Sequence, residues 1–250
     1  MKKRIIIGNW KTNKTKKDVE AFMKVVNAKM KTSEFQGTFG VAPVFVHLEL
    51  AKKLAPKKME IVAQDANACE SGAYTGTVSW SQLKDIGVKY VIIGHSERRM
   101  YYNETDEVVN EKVNAVLTNK MVPILCIGEN LTEFNKKQTN TVCGRQLKQA
   151  LKNIKTELLS KLIIAYEPVW AIGTGKTATP EIAQTTIAYI RKQLAKIAGA
   201  DLAKKIPILY GGSVKPSNIE VLMKQPDING ALVGGASLDP NDYLKLLGIK

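Results

Sequence analysis

Three side chains in this sequence could together move a proton at carbon. Glu167 follows an apolar run, 162–166, and precedes Pro168. Proline cannot donate to a strand's hydrogen-bond ladder, so Glu167 is expected as the last residue of a buried strand. Beyond it come Val169 and Trp170, then Gly173 and Gly175. An apolar entry with a glycine-bearing tip suits a lid over a carboxylate, although a plain turn also uses glycine. His95, one of two histidines, stands directly before Ser96-Glu97-Arg98-Arg99, which reads as a helix start. A helix N-terminus opposes an imidazolium, so a neutral ring able to donate a hydrogen bond is expected there. His47 has no such setting and reads as a packed or surface residue. Lys11 offers a fixed positive charge for an oxyanion or a phosphate oxygen. A carboxylate base, a neutral donor and a cation suit proton abstraction beside a carbonyl.

Residues so far apart in the chain need a scaffold that gathers them. Short β-rich runs recur at 4–8, 39–42, 60–64, 90–94, 122–127, 162–166, 206–210 and 230–233. Helical patterns fill the gaps: Val19, Phe22, Met23, Val26 and Met30 keep the spacing of one helix face, as do Val109, Val113, Val116 and Leu117. Thr105-Asp106-Glu107, Thr179-Pro180-Glu181 and Asp239-Pro240 have the composition of helix starts. Ile182, Thr186, Ile190, Leu194 and Ile197 make a further stripe, and Leu244 and Leu247 face inward from the last helix. Strand and helix alternating eight times predict an α/β chain folded as a single (β/α)8 barrel. A doubly wound open sheet would want a glycine fingerprint after the first strand, and Gly8-Asn9-Trp10-Lys11 is not one. No low-complexity linker divides the chain, so residues 1–250 are read as one domain.

In such a barrel, chemistry gathers where the strands end. Those positions carry Asn9 and Lys11, Gln64 and Asp65, His95 to Glu97, Glu129, Glu167, Gly211-Gly212-Ser213 and Gly234-Gly235. The two glycine pairs follow the seventh and eighth strands, where backbone N–H groups can approach a phosphate; simple tight turning is the alternative. Gly173-Thr174-Gly175-Lys176-Thr177 ends like a nucleotide-binding loop, but that motif needs glycine where Trp170 stands. A Schiff-base role for Lys11 would need a desolvated amine, and its neighbours are polar.

Hydrophobic residues at 44% and charged residues at 24% fit an ordinary globular chain, and no apolar run approaches the length of a membrane span. The basic start has only three consecutive apolar residues and no cleavage site, unlike a signal peptide. Three cysteines, odd in number and widely spaced, read as reduced thiols and not as zinc ligands. The net charge of +14 could serve nucleic acid, an anionic membrane or steering of a small anion. The lysines are scattered over expected helices and loops, which favours a solvated surface.

Taken together, Asn9-Trp10-Lys11, Gly94-His95-Ser96-Glu97-Arg98-Arg99, Cys126-Ile-Gly128-Glu129, the segment from Ala165 through Glu167 and Pro168 to Gly175, and Tyr210-Gly-Gly-Ser213-Val214 resemble the motifs of the triosephosphate isomerase family, in order and over almost the full chain. The resemblance implies Glu167 as the base and His95 as the group that polarises the carbonyl and shuttles protons. It implies Lys11 and Asn9 as oxyanion stabilisers, Glu97 as an acidic neighbour of Lys11, and N–H groups of Gly173, Ser213, Gly234 and Gly235 as phosphate ligands. It further implies a cytosolic homodimer working in glycolysis and gluconeogenesis on a small phosphorylated substrate, without metal or cofactor, nucleic acid or membrane. The loop 71–79, with Tyr74 and Thr75, is similar to the one that enters the neighbouring subunit. Asp65 departs from the family's usual Asn near that interface, and Asn130 to Lys137 replaces a more acidic stretch. Two rivals remain at this point, a basic binding protein on an inactive barrel and a different phosphate-handling barrel enzyme such as an aldolase.

Overall fold

The computed structural model describes residues 4–33, 35–171 and 178–249. The first part contains β1 (Arg4–Asn9), α1 (Lys16–Met30), β2 (Gly37–Ala42), α2 (Leu48–Leu54), β3 (Glu60–Ala63) and α3 (Trp80–Asp85). Next come β4 (Tyr90–Ile93), α4 (Ser96–Tyr101), α5 (Asp106–Thr118), β5 (Val122–Ile127), α6 (Leu131–Asn135) and α7 (Thr139–Ala150). The last part holds β6 (Ile163–Tyr166), α8 (Pro180–Ala198), α9 (Ala200–Lys205), β7 (Ile208–Tyr210), α10 (Ile219–Met223), β8 (Gly230–Val233) and α11 (Pro240–Leu246). All neighbouring strands are parallel, and β8 pairs with β1 through Ile5 and Gly230, so the sheet closes into a barrel. The expected (β/α)8 architecture is the observed one, with every expected strand present to within two residues at each end.

Strand side chains alternate between two apolar cores. Ile5, Ile7, Ala42, Val62, Ile92, Ile124, Cys126, Ile163, Ala165, Leu209 and Leu232 fill the barrel axis. Their neighbours Ile6, Val41, Val91, Ile93, Leu125, Ile164, Ile208 and Val233 face outward and meet the helices. A period of two in a closed parallel sheet permits no other arrangement once both faces are buried. Val19, Phe22, Met23 and Val26 are buried on α1, as their spacing predicts, and the Thr15 side chain caps that helix with Asp18 answering from its first turn. Thr105, Thr179 and Asp239 cap α5, α8 and α11. Ile182 departs from its stripe: it is 40% exposed, because the first turn of α8 stands at the rim beside Phe134 and Thr139.

Asp65, just past β3, does not carry a stray charge to the surface. It is buried, and both its oxygens lie 2.8 Å from Lys112 Nζ of α5. Arg98 of α4 adds a contact at 2.9 Å to Asp65 and one at 2.6 Å to Glu104, which also bonds Lys112. Burial pushes the Asp65 carboxyl above its usual range, and Lys112 only partly opposes this. Lys112→Met should therefore cost about 3–5 kcal/mol, since two interior carboxylates would be left with Arg98 alone. Because a raised folded-state pKa favours the protonated form, this loss should be smallest in acid and grow as pH rises through the Asp65 titration. Urea unfolding midpoints of parent and variant at several pH values measure it; equal midpoints near neutrality would refute it.

Candidate active site

The inward phase of each strand carries past its end. On β1 the axis-facing positions run Ile5, Ile7, Asn9; on β6 they run Ile163, Ala165, Glu167. Asn9 and Glu167 are consequently buried polar groups at the barrel mouth, above an apolar floor. They line a cavity of about 700 Å³ together with Lys11, His95, Ser213, Gly234 and Gly235. Every described residue that the sequence nominates for catalysis or phosphate binding by resemblance is thus at one cavity, except Glu97, which touches it through Lys11 and His95. Gly173, and the lid tip with it, lies outside the described residues.

Lys11 has a left-handed backbone, φ 52°, rare for a side chain of this kind. Its conformation is bracketed: its N–H donates to Asn9 Oδ1 at 3.0 Å, and its carbonyl accepts from Gln64 Nε2 at 2.9 Å. Gln64 also donates to Ala42 O at 2.8 Å, tying the loop after β1 to the end of β2. Trp10, fully buried, donates from its indole to Ser237 O at 3.0 Å and meets the Phe22 ring edge-on. The Lys11 ammonium then lies 2.7 Å from Glu97 Oε1.

His95 enters on a turn, since Gly94 has φ 71° and the chain passes directly into α4. Arg99 Nε donates to Gly94 O at 2.9 Å and its NH1 reaches Asp106 at 2.7 Å, which fixes that turn from behind. His95 Nδ1 accepts the Glu97 N–H at 3.3 Å, so the ring proton belongs on Nε2. Nε2 lies 2.9 Å from Glu167 Oε1, and Glu167 Oε2 accepts the Ser96 N–H at 3.0 Å. Burial opposes the imidazolium, but the Glu167 carboxylate outweighs it and holds the His95 pKa above its ordinary value. This departs from the expectation of a depressed value: a buried carboxylate in contact overrides the weak positive end of a short helix. Burial likewise opposes the Glu167 carboxylate, yet His95, the Ser96 N–H and Lys11 together hold its pKa below the usual range.

Glu167 also occupies a slot. In strand register it stands between Gly128 and Gly211, two residues beyond the paired Cys126, Ala165 and Leu209. A Cβ on Gly128 would fall 1.7 Å from the Glu167 carbonyl oxygen, and one on Gly211 would fall 2.9 Å from Glu167 Cγ. The segment after Pro168 is anchored too. The Trp170 indole donates to Glu129 Oε1 at 2.8 Å, Val169 N–H donates to Glu129 O at 3.1 Å, and Phe134 stacks on Trp170 at 4.1 Å. The Ser96 amide, the Gln64 clamp and the steric role of Gly211 were not legible as site features in the sequence, where Gly211 read only as part of an anion turn. Among the described residues, no group of three or more His, Cys, Asp or Glu side chains is gathered as a metal site would need.

The His95 titration should depend on its partner. Replacing Glu167 with Gln removes the influence that raises the imidazole pKa and leaves burial, which lowers it. His95 should then titrate at lower pH in Glu167→Gln than in the parent. Nuclear magnetic resonance of the imidazole reads the midpoint, and an unchanged or higher value would contradict the assigned contact.

Comparison with known proteins matches this arrangement to a family. The family model described as triosephosphate isomerase covers residues 4–250. The chain is similar to the triosephosphate isomerase of Mycoplasmoides gallisepticum, 56% identical over 99% of this chain and 98% of that protein. It is 49% identical to that of Mycoplasma pneumoniae over 98% and 97% of the two chains. To that of Alkaliphilus oremlandii it is 45% identical over 99% of each. With the fold, the cavity and the full-length matches in agreement, the chain belongs to the triosephosphate isomerase family.

Proposed function

We propose that this chain interconverts dihydroxyacetone phosphate and glyceraldehyde 3-phosphate through an enediolate, with Glu167 as the base. The observation that carries the reading is the meeting of a buried carboxylate, an Nε2–H imidazole and an ammonium around one cavity also lined by Ser213, Gly234 and Gly235. Glu167 turns from Ser96 and His95 to the substrate and takes the proton from the carbon beside the carbonyl; His95 moves a proton from the hydroxyl oxygen on that carbon to the former carbonyl oxygen, and Glu167 returns its proton to the adjacent carbon. The carbonyl oxygen gains the charge, which the His95 Nε2–H, Lys11 and the Asn9 amide stabilise. With the carboxylate turned away, the influence that raises the His95 pKa weakens and burial favours the neutral donor. Glu97 holds the Lys11 ammonium in place. Backbone N–H groups of Gly173, Ser213, Gly234 and Gly235 take the phosphate, and the lid tip, Ile172 to Gly175, covers it to exclude water. These steps need proton transfer and electrostatics alone, so no cofactor or metal is proposed.

Residues 1–250 act as one catalytic domain, a reading supported by the pairing of β8 with β1. The enzyme works in the cytoplasm, in glycolysis and gluconeogenesis, with neither nucleic acid nor membrane as partner. Among the described residues, no helix is long and apolar enough to cross a membrane. It acts as a homodimer in which Tyr74 and Thr75 enter the neighbouring subunit. The support is the Tyr74 ring, half exposed on the loop 71–79.

Glu167→Gln keeps shape and removes the base. A fall in kcat of about 10²–10⁴-fold with little change in KM is expected, in a coupled assay of glyceraldehyde 3-phosphate turnover. Near-normal turnover would rule the role out. Shortening the loop 71–79 should give a folded monomer with strongly reduced kcat, by light scattering, circular dichroism and the same assay. A shortened chain that remains dimeric, or a fully active monomer, would defeat the dimer reading.

A further inference from the structure

Gln146 of α7 is buried, and its carboxamide bonds both backbone groups of one residue. Gly128 N–H donates to Gln146 Oε1 at 2.8 Å, and Gln146 Nε2 donates to Gly128 O at 3.2 Å. A parallel strand directs its backbone groups to alternate sides. Toward β6, the end of β5 grips the base itself: Glu167 N–H donates to Ile127 O at 2.8 Å and Val169 N–H to Glu129 O at 3.1 Å. Gly128, between them, points its N–H and C=O the other way, toward β4. There the ladder has already stopped, because β4 pairs with β5 only as far as Ile93 and Leu125 before the chain turns into His95. The Gln146 amide stands where the next strand residue would be, and it completes the ladder from outside the barrel. Since the backbone of Gly128 lies directly against that of Glu167, displacement of one is displacement of the other.

We propose that Gln146 is a positioning residue for the reaction, which sets the reach of the Glu167 carboxylate through Gly128. The proposal rests on the reading of Glu167 as the base. It accounts for a buried polar side chain within the otherwise apolar stripe Val142, Cys143, Leu147 and Ala150. An apolar residue there would pack as well and leave Gly128 without partners.

The test uses the full chain with Gln146→Leu, which keeps bulk and loses both bonds, and Gln146→Glu, which keeps the acceptor and loses the donor. In Gln146→Leu, kcat should fall about ten- to a hundredfold, the scale of a small misplacement of a catalytic group. KM and inhibition by inorganic phosphate, which report the glycine-lined wall, should stay within about twofold, and Gln146→Glu should lie between parent and Gln146→Leu. In a Glu167→Gln background, Gln146→Leu should add little, because the two changes act on one group. Unchanged kcat in a folded Gln146→Leu protein would overturn the proposal. So would a parallel worsening of kcat, KM and phosphate inhibition, or a loss that multiplies in full in the Glu167→Gln background. If Gln146→Leu does not fold, Gln146→Glu decides by the same readings. Failure of the underlying reading shows separately, as turnover retained by Glu167→Gln alone.

Discussion

In a closed ring of eight parallel strands each residue faces either the axis or the helices, and two residues later it faces the same way again. Where a strand stops therefore decides what stands at the mouth. Asn9 and Glu167 extend the inward series of β1 and β6 by one step beyond the last apolar residue. A slip of one residue would send the carboxylate among the helices and a tyrosine, Tyr166, into the axis. The outer core, with its stripes on α1, α5 and α8, is what forbids the slip, so the placement of the site is a consequence of packing far from it.

Charge at the mouth is arranged as a chain of contacts, each weak without the next. Lys11 meets Glu97, the Glu97 amide meets His95 Nδ1, and His95 Nε2 meets Glu167. Burial disfavours the ionised form of both His95 and Glu167, and each is shifted back by the other. A carboxylate is thereby kept ionised in a space with almost no access to water, where its charge acts most strongly on its neighbours. The Asp65, Lys112, Arg98 and Glu104 cluster repeats the principle for a structural purpose: it fastens α4, and with it the Ser96 amide and Glu97, to β3 and α5.

Much of this was legible in the sequence because short patterns dictate it. The run 162–166 followed by Glu167 and Pro168 predicts a strand, which ends at Tyr166, one residue before the expected Glu167, and Thr179-Pro180 predicts the start of α8. The candidate side chains at strand ends follow from counting strands. What escaped was of three kinds. Contacts made by backbone groups, such as the Ser96 amide on Glu167, leave no mark on residue type. Contacts that cross the barrel wall, such as Gln146 on Gly128, depend on three-dimensional adjacency, although a polar residue in the apolar stripe of α7 was a usable signal. The His95 pKa escaped for a third reason: its direction is set by a neighbour 72 positions away in the chain, and the local helix start is the smaller influence.

The two glycines flanking Glu167 bear on a different matter, the mechanics of the stroke. On the proposed reading, the carboxylate leaves the Ser96 amide for a substrate carbon, and it does so beside the ends of β5 and β7. Gly128 and Gly211 stand on those ends, and a methyl group on either would fall against the Glu167 backbone or its Cγ. The travel of the side chain is thus bounded by its neighbours, which behave as the two walls of a guide. A methyl group on Gly128 would overlap the Glu167 carbonyl and one on Gly211 would crowd its Cγ, so the room left to the glutamate is set by the absence of two methyl groups on adjoining strands.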